Sequence, residues 1–162
     1  VLSGLPTGKF VFEGFLPREG RNRKKEIESI ANETRTVIVY EAPHRIKGTL
    51  KELYISLGNR KVAICRELTK KFEEVTRLQL GDASVMYDNI EPKGEFVIII
   101  EGRNSQEIEQ EAREDWKKLS IEEHMGIYIK QGMSKKEAMK KAAVDRGISK
   151  RDIYKYIIDN EK

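Results

Sequence analysis

The sequence predicts an α/β lobe followed by a basic helical tail. Over residues 1–102, short apolar runs that suit β-strands alternate with apolar stripes at helical spacing. After Gly102 the chain becomes polar, and helical patterns that begin with serine follow. We therefore expect a lobe over residues 1–102, a linker over 103–116 that is partly helical or disordered, and a helix-turn-helix-like domain over 117–162.

About five strands are predicted in the lobe, each from a short apolar or β-branched run. The last run, Phe-Val-Ile-Ile-Ile, is the most apolar in the chain and should be a central strand. The runs cover residues 9–15, 36–40, 62–65, 74–80 and 96–100.

Helices are predicted between these runs. Residues 27–31 place apolar side chains on one helical face, after a basic loop over residues 17–25. A second helix holds Pro43 in its first turn and ends at Gly58. A short third helix starts at residues 81–82.

Three helices are predicted in the tail. Ser120 and Ser134 each stand three residues before a glutamate, which is the pattern of a capping box. Ser149 begins a third helix after a short turn at Gly147, as in helix-turn-helix motifs. Residues 130–155 contain nine basic and three acidic residues, which suits contact with nucleic-acid phosphates. A small bundle that mediates protein contacts is the alternative.

Composition restricts the class of protein. The net charge is +4, 36% of residues are charged, and no apolar run approaches the roughly 20 residues of a membrane span. The only cysteine, Cys65, lies in an apolar run, so we expect an inert thiol in the reducing cytoplasm. We find no signal peptide. Because the chain starts at Val1 without methionine, we expect it to be a piece of a longer protein.

Candidate functional residues follow the ends of predicted strands, where open α/β sheets bind ligands. Glu41 directly follows one run, and His44 and Arg45 come after it at a helix start, where a cation opposes the helix dipole. These residues form either a site or a structural ion pair. Glu67 follows the next run, and His124 is expected to be solvated on its helix.

The sequence has neither a glycine-rich nucleotide motif nor paired Cys and His residues with metal-ligand spacing. Basic side chains near the strand ends could form a rim for RNA phosphates, and the tail adds two more. The candidates are Arg18, Arg21, Arg23, Lys24, His44, Arg45, Lys70, Lys150 and Arg151.

Four phrases occur in this order along the chain: Glu13-Gly14-Phe15-Leu16-Pro17-Arg18, Tyr40-Glu41-Ala42-Pro43-His44-Arg45, Arg66-Glu67-Leu68-Thr69-Lys70 and Lys93-Gly94-Glu95. Taken together, they resemble the small-subunit ribosomal RNA methyltransferase I family of the tetrapyrrole methylase superfamily. The resemblance implies a homodimeric protein of two α/β lobes that transfers a methyl group from S-adenosylmethionine to the ribose 2′-oxygen of a cytidine. This chain would be the second lobe, a mixed sheet of about five strands with flanking helices, plus the helical extension, and would be inactive alone.

By the same resemblance, two loops would contact the donor. They are represented here by Tyr40, Glu41 and Ala42 and by Leu68 and Thr69. Glu41 and Glu67 are candidate general bases by position alone, the absent lobe is another source, and no metal is implied. Two other functions remain open: methylation of a tetrapyrrole precursor, and binding of nucleic acid without catalysis.

Overall fold

The computed structural model describes residues 1–160. It contains two compact units, Val1–Asn104 and the residues from Ser105 onward. Within the described part of the chain, no helix combines the length and the apolar character that crossing a membrane would require.

The first unit is built on one five-stranded sheet with the order β1-β2-β5-β3-β4. β1 and β2 are parallel, and β5 is antiparallel to both β2 and β3, so β1, β2 and β3 end at the same edge. This arrangement confirms the predicted mixed sheet and the central position of the most apolar run. The strands are β1 (Phe10–Phe15), β2 (Thr36–Glu41), β3 (Lys61–Arg66), β4 (Glu74–Gln79) and β5 (Phe96–Ile100).

Three helices pack on one face of the sheet: α1 (Gly20–Asn32), α2 (Ile46–Leu57) and α3 (Leu80–Asp88). Alternate residues of the central strands point toward them and form the core, as the pleat of a strand requires. α2 begins at Ile46 and not at Pro43, because residues 43–45 form a turn in front of it. Gly58, with φ of 74°, ends α2 as predicted.

The second unit consists of α4 (Ser105–Lys117), α5 (Ile121–Lys130), α6 (Lys135–Arg146) and α7 (Lys150–Asn160). Both predicted capping boxes are present, since Ser120 and Ser134 each accept from the backbone N–H of the glutamate three residues later. Gly147 ends α6 in the left-handed conformation, with φ of 65°.

Residues 105–117 form α4, whereas we expected a linker over 103–116 that is partly helical or disordered. The segment is rich in strong helix formers and carries an Arg113–Glu109 ion pair at i,i+4 spacing. Trp116 also stacks on His124 of α5, with ring centroids 3.8 Å apart. Local propensity and this contact together explain why the stretch is a helix of the second unit.

His124 is buried, so the expectation that it is solvated was wrong. Its Nδ1 accepts a hydrogen bond of 3.0 Å from Arg146 Nε, and its Nε2 lies 3.4 Å from Asp145. Tyr128 donates to the same aspartate. Burial first, and then the Arg146 charge, lower the pKa of His124, because both disfavour the protonated ring.

Acidification is therefore expected to destabilise the second unit. The unfolded chain binds a proton at His124 near its ordinary pKa of 6.5, whereas the folded unit resists it, so stability falls as pH drops below that value. Arg146, Asp145, Tyr128 and Lys141, which pairs with Asp145, are the charged and titratable groups around the ring.

The loss of stability at low pH can be followed by denaturant unfolding, monitored through the fluorescence of Trp116, the only tryptophan. His124→Gln should flatten the pH dependence between about pH 7 and 5, whereas the exposed His44→Gln should leave it unchanged. If the stability of the two variants depended on pH to the same extent, His124 would not be the source of that dependence.

Candidate functional site

The predicted phrases converge on one edge of the sheet. At the carboxyl ends of β2 and β3, the strand register aligns Glu41, Phe96, Arg66 and Glu74 in one row across four strands. β1 ends at the same edge because it runs parallel to β2. The loops that follow β1, β2 and β3 therefore lie beside each other, as the edge of a ligand-binding α/β sheet requires.

Glu41 is the buried centre of this edge. One carboxylate oxygen accepts from the Ala42 N–H at 2.9 Å and lies 3.2 Å from Arg45 Nε. The other accepts from the Thr49 hydroxyl at 2.5 Å. The side chain is fully enclosed and both oxygens are engaged, which argues against a role as general base. The sequence left two hypotheses for Glu41 and Arg45, a functional site or a structural ion pair, and the geometry favours the structural ion pair.

Two arginines of the expected RNA rim instead hold the loop after β1. Arg23 is buried and donates to the Pro17 carbonyl at 2.9 Å and to Thr49 at 2.9 Å. Its Nε also binds the Glu52 carboxylate at 2.6 Å. Arg45 donates to the Leu16 carbonyl at 2.8 Å. These internal bonds occupy both guanidinium groups, so we reassign Arg23 and Arg45 from RNA contact to support of the loop.

These residues form one network, which we call the edge network: Arg23, Glu41, Arg45, Thr49 and Glu52. It links the loop after β1, the end of β2 and the helices α1 and α2. Buried charges are tolerated only when they are paired and hydrogen-bonded, and every member here has a partner. The network therefore fixes the relative positions of two of the three loops.

The residues that follow β2 are more accessible. Tyr40 is 40% exposed and makes T-shaped ring contacts with Phe12 and Phe15, with ring centroids 5.0 and 5.6 Å away. Ala42 is half-buried, and His44 is exposed in the turn before α2. These three side chains can reach a ligand at the edge, whereas Glu41 cannot.

The loop after β3 has a constrained backbone. Glu67 and Thr69 are both in the left-handed region, with φ of 52° and 63°. Such conformations cost on the order of 1–3 kcal/mol each and are often found at ligand sites. The Thr69 N–H donates to the Glu73 carboxylate at 2.6 Å, and the Lys70 N–H to the Glu67 carbonyl at 2.9 Å. The loop presents half-buried Leu68 and exposed Thr69.

The Glu67 carboxylate holds this loop against β5. It accepts from the Glu95 N–H at 2.8 Å and from Lys70 Nζ at 3.2 Å. The Glu95 N–H, and then Lys70, lower the pKa of Glu67, so the carboxylate stays ionised and is a weak base. Lys70 also pairs with Glu95 at 2.8 Å, which commits its charge to the loop. The geometry argues against Glu67 as the base.

The other basic candidates are exposed. Arg18, Arg21 and Lys24 lie around the start of α1, where a groove of about 350 Å³ separates α1 from α2. Lys150 and Arg151 are exposed in the first turn of α7, in the second unit. The three residues at the start of α1 and the two in α7 remain predicted phosphate contacts.

Thr49 and Glu52 of the edge network were not among the residues predicted for the site. Thr49 lies within the apolar stripe of α2, between Ile46 and Leu50, so its position indicated an inward side chain. Glu52 gave no such signal, because it lies beside the stripe and pairs with an arginine from another helix.

Arg66 leaves one polar atom at this edge without a partner. Its NH2 group binds Glu74 at 3.0 Å, but its Nε is buried and has no hydrogen-bond partner among the described residues. A buried N–H of this kind costs stability unless something accepts from it. Arg66 therefore carries an unmet hydrogen-bond donor inside this edge, at an atom that solvent does not reach.

Comparisons with known proteins agree on one family. A family model described as Tetrapyrrole (Corrin/Porphyrin) Methylases matches residues 2–84. A Bacillus subtilis protein named Ribosomal RNA small subunit methyltransferase I is 42% identical over 154 residues, which are 95% of this chain and 52% of that protein. A Halalkalibacterium halodurans protein of the same name is 46% identical over 95% of this chain and 53% of its own length.

The chain thus spans about half the length of the relatives that it matches. Among solved structures, the uroporphyrin-III C-methyl transferase from Thermus thermophilus complexed with S-adenyl homocysteine has a TM-score of 0.43 and 18% identity. The match covers 60% of this chain and 47% of that one.

Proposed function

Because the chain belongs to the tetrapyrrole (corrin/porphyrin) methylase family, we propose that it is the second lobe and helical extension of a ribosomal RNA methyltransferase. The observation that carries the proposal is the convergence of the loops after β1, β2 and β3 on one edge. The names of the relatives favour small-subunit ribosomal RNA as the substrate.

The proposed donor is S-adenosylmethionine. When bound, it supplies an electrophilic methyl group, and the enzyme mainly has to align that group with the acceptor oxygen. Tyr40, Ala42, Leu68 and Thr69 would hold it, because their side chains are half-buried or exposed at this edge of the sheet. Glu41 and Glu67 act by fixing these loops in place and not by touching the donor.

We propose the ribose 2′-hydroxyl of a cytidine as the acceptor, in line with the family resemblance. Since both carboxylates of this edge are engaged, the base that removes the hydroxyl proton is proposed to lie in the first lobe. Arg18, Arg21, Lys24 and His44 would contact RNA from the first unit, and Lys150 and Arg151 from the second. We expect the two-lobe protein to be a homodimer that works in the cytoplasm.

The test uses the two-lobe protein, which joins this chain to the first lobe that the resemblance implies. Incubation with labelled S-adenosylmethionine should label small-subunit ribosomal RNA at a cytidine 2′-oxygen, and the 162-residue chain alone should transfer nothing. A tetrapyrrole precursor offered in parallel should stay unlabelled. Labelling of the precursor and not of the RNA would overturn the substrate assignment. Transfer by the chain alone would overturn the two-lobe proposal.

A non-catalytic role for the chain predicts something different. If the protein only binds nucleic acid, the two-lobe protein should neither bind the donor nor transfer a methyl group. The constrained loop after β3 favours the enzyme, because a binding module that uses only the second unit would have no need for it.

A further inference from the structure

The outward face of α7 combines positive charge with an exposed aromatic ring. Ile153 and Ile157 are buried on the inner face of this helix, in the core of the second unit. Arg151, Tyr154 and Lys155 follow the spacing i, i+3, i+4, which places them together on the outer face. Tyr154 is 57% exposed, so its ring is presented to solvent.

The exposed charged residues of this helix are the cations Lys150, Arg151 and Lys155 and the acids Asp152 and Asp159, so its surface is slightly positive, with the cations before Asp159. The acidic residue of the first turn, Asp152, accepts hydrogen bonds from the Ser149 N–H at 3.0 Å and hydroxyl at 2.6 Å, which directs its carboxylate to the helix start. Lys150 and Arg151 flank it, and Lys155 lies one turn further on. Arg146, by contrast, is used internally by His124 and by the Leu119 carbonyl.

The form of the nucleic acid follows from groove dimensions. A helix-turn-helix inserts its last helix into the major groove of B-DNA, which is wide enough to admit it. The major groove of an RNA duplex is deep and narrow, and side chains cannot read it. An RNA target therefore leaves α7 two options: the phosphates and minor-groove 2′-hydroxyls of a duplex, or unpaired nucleotides.

An exposed tyrosine between cations is the combination that single-strand binding surfaces use. Bases stack on the aromatic ring, and the cations follow the phosphate backbone. We propose that the outward face of α7 binds unpaired RNA, with Tyr154 stacking on a base and Arg151 and Lys155 contacting phosphates. The inference rests on the proposed RNA substrate and specifies which part of that RNA the second unit binds.

The test measures fluorescence anisotropy of a labelled single strand of about 12 nucleotides with the whole 162-residue chain. A fully paired, blunt-ended RNA duplex of the same composition serves as the duplex probe. We expect the single strand to bind more tightly than the duplex. Tyr154→Leu should weaken single-strand binding about tenfold, whereas Tyr154→Phe, which keeps the ring, should retain it.

Charge variants test the phosphate contacts. Arg151→Gln and Lys155→Gln should each reduce the salt dependence of single-strand binding by about 0.7 in log–log slope. Lys118→Gln is the matched control, because Lys118 is an exposed cation of the same unit that pairs with Asp115. It should leave the slope unchanged.

Three outcomes would overturn the proposal: no RNA binding by the chain, tighter binding of the duplex, or a Tyr154→Leu variant that binds the single strand like wild type. Binding of a protein partner that is lost in Tyr154→Leu, without any RNA binding, would assign the face to protein contact instead. None of these binding results decides whether the protein transfers a methyl group, which the two-lobe protein tests separately. If that protein methylates RNA while α7 binds none, only the present inference fails.

Discussion

Glu41→Ala is expected to lower the free energy of unfolding of the first unit by about 3–5 kcal/mol. The substitution removes the acceptor of the Ala42 N–H and of the Thr49 hydroxyl, and leaves Arg45 without its 3.2 Å partner. Removing one member of a buried pair is costly because the remaining charge and donors stay desolvated. Native-state hydrogen exchange of the β2 and β5 amides measures the loss in this unit.

Lys51→Ala is the matched control, because it removes an ion pair on the surface of α2. Lys51 and Asp88 are 2.8 Å apart but 51% and 41% exposed, and pairs of this kind contribute about 0–1 kcal/mol. The control should leave strand protection nearly unchanged. A Glu41→Ala loss no greater than that of Lys51→Ala would show that the edge network does not stabilise the sheet edge.

Gly94→Ala is expected to destabilise the first unit by about 1–3 kcal/mol and to displace the loop after β3. Gly94 has a φ of 91°, where an L side chain is strained. An added Cβ would also lie 2.7 Å from the Glu67 Cγ and Oε1 atoms. The Glu67 carboxylate would have to leave the Glu95 N–H, which it now accepts from at 2.8 Å.

The matched control for this substitution is Gly8→Ala. No heavy atom lies within 4 Å of a Cβ built on Gly8, so we expect a change of at most about 0.5 kcal/mol. Native-state hydrogen exchange of the amides in β3 and β5 measures the loss of stability in both variants. If Gly94→Ala matched Gly8→Ala, the contact between Glu67 and β5 would be adaptable and would not constrain the loop.

Local patterns predicted most of the elements. The strands, the capping boxes and the glycine ends of α2 and α6 depend on neighbouring residues, so the sequence alone was sufficient. The position of β5 between β2 and β3 is different. Its central place follows from its apolar character, but the partners on either side are set by packing across distant segments.

The errors concern polar residues on apolar faces. Arg23 stands four residues before Ile27 and seven before Ile30, so helical periodicity already placed it on the buried face of α1. His124 occupies the same kind of position between Ile121 and Met125. The expectations for both residues followed the chemistry of their side chains and not their spacing along the helix. Their partners, Glu52 and Arg146, lie on other helices and could not be found from local sequence.

The proposed function requires the strand-end loops of this chain to hold a methyl donor together with a second lobe. Calorimetric titration of S-adenosylmethionine into the two-lobe protein tests it most directly, with the wild-type sequence, Gly94→Ala and Gly8→Ala compared at a temperature where all three are folded. We predict binding by wild type and by Gly8→Ala, and at least about tenfold weaker binding by Gly94→Ala, which displaces Leu68 and Thr69 by way of Glu67. Equal donor affinity in all three proteins would show that the loop after β3 does not hold the donor.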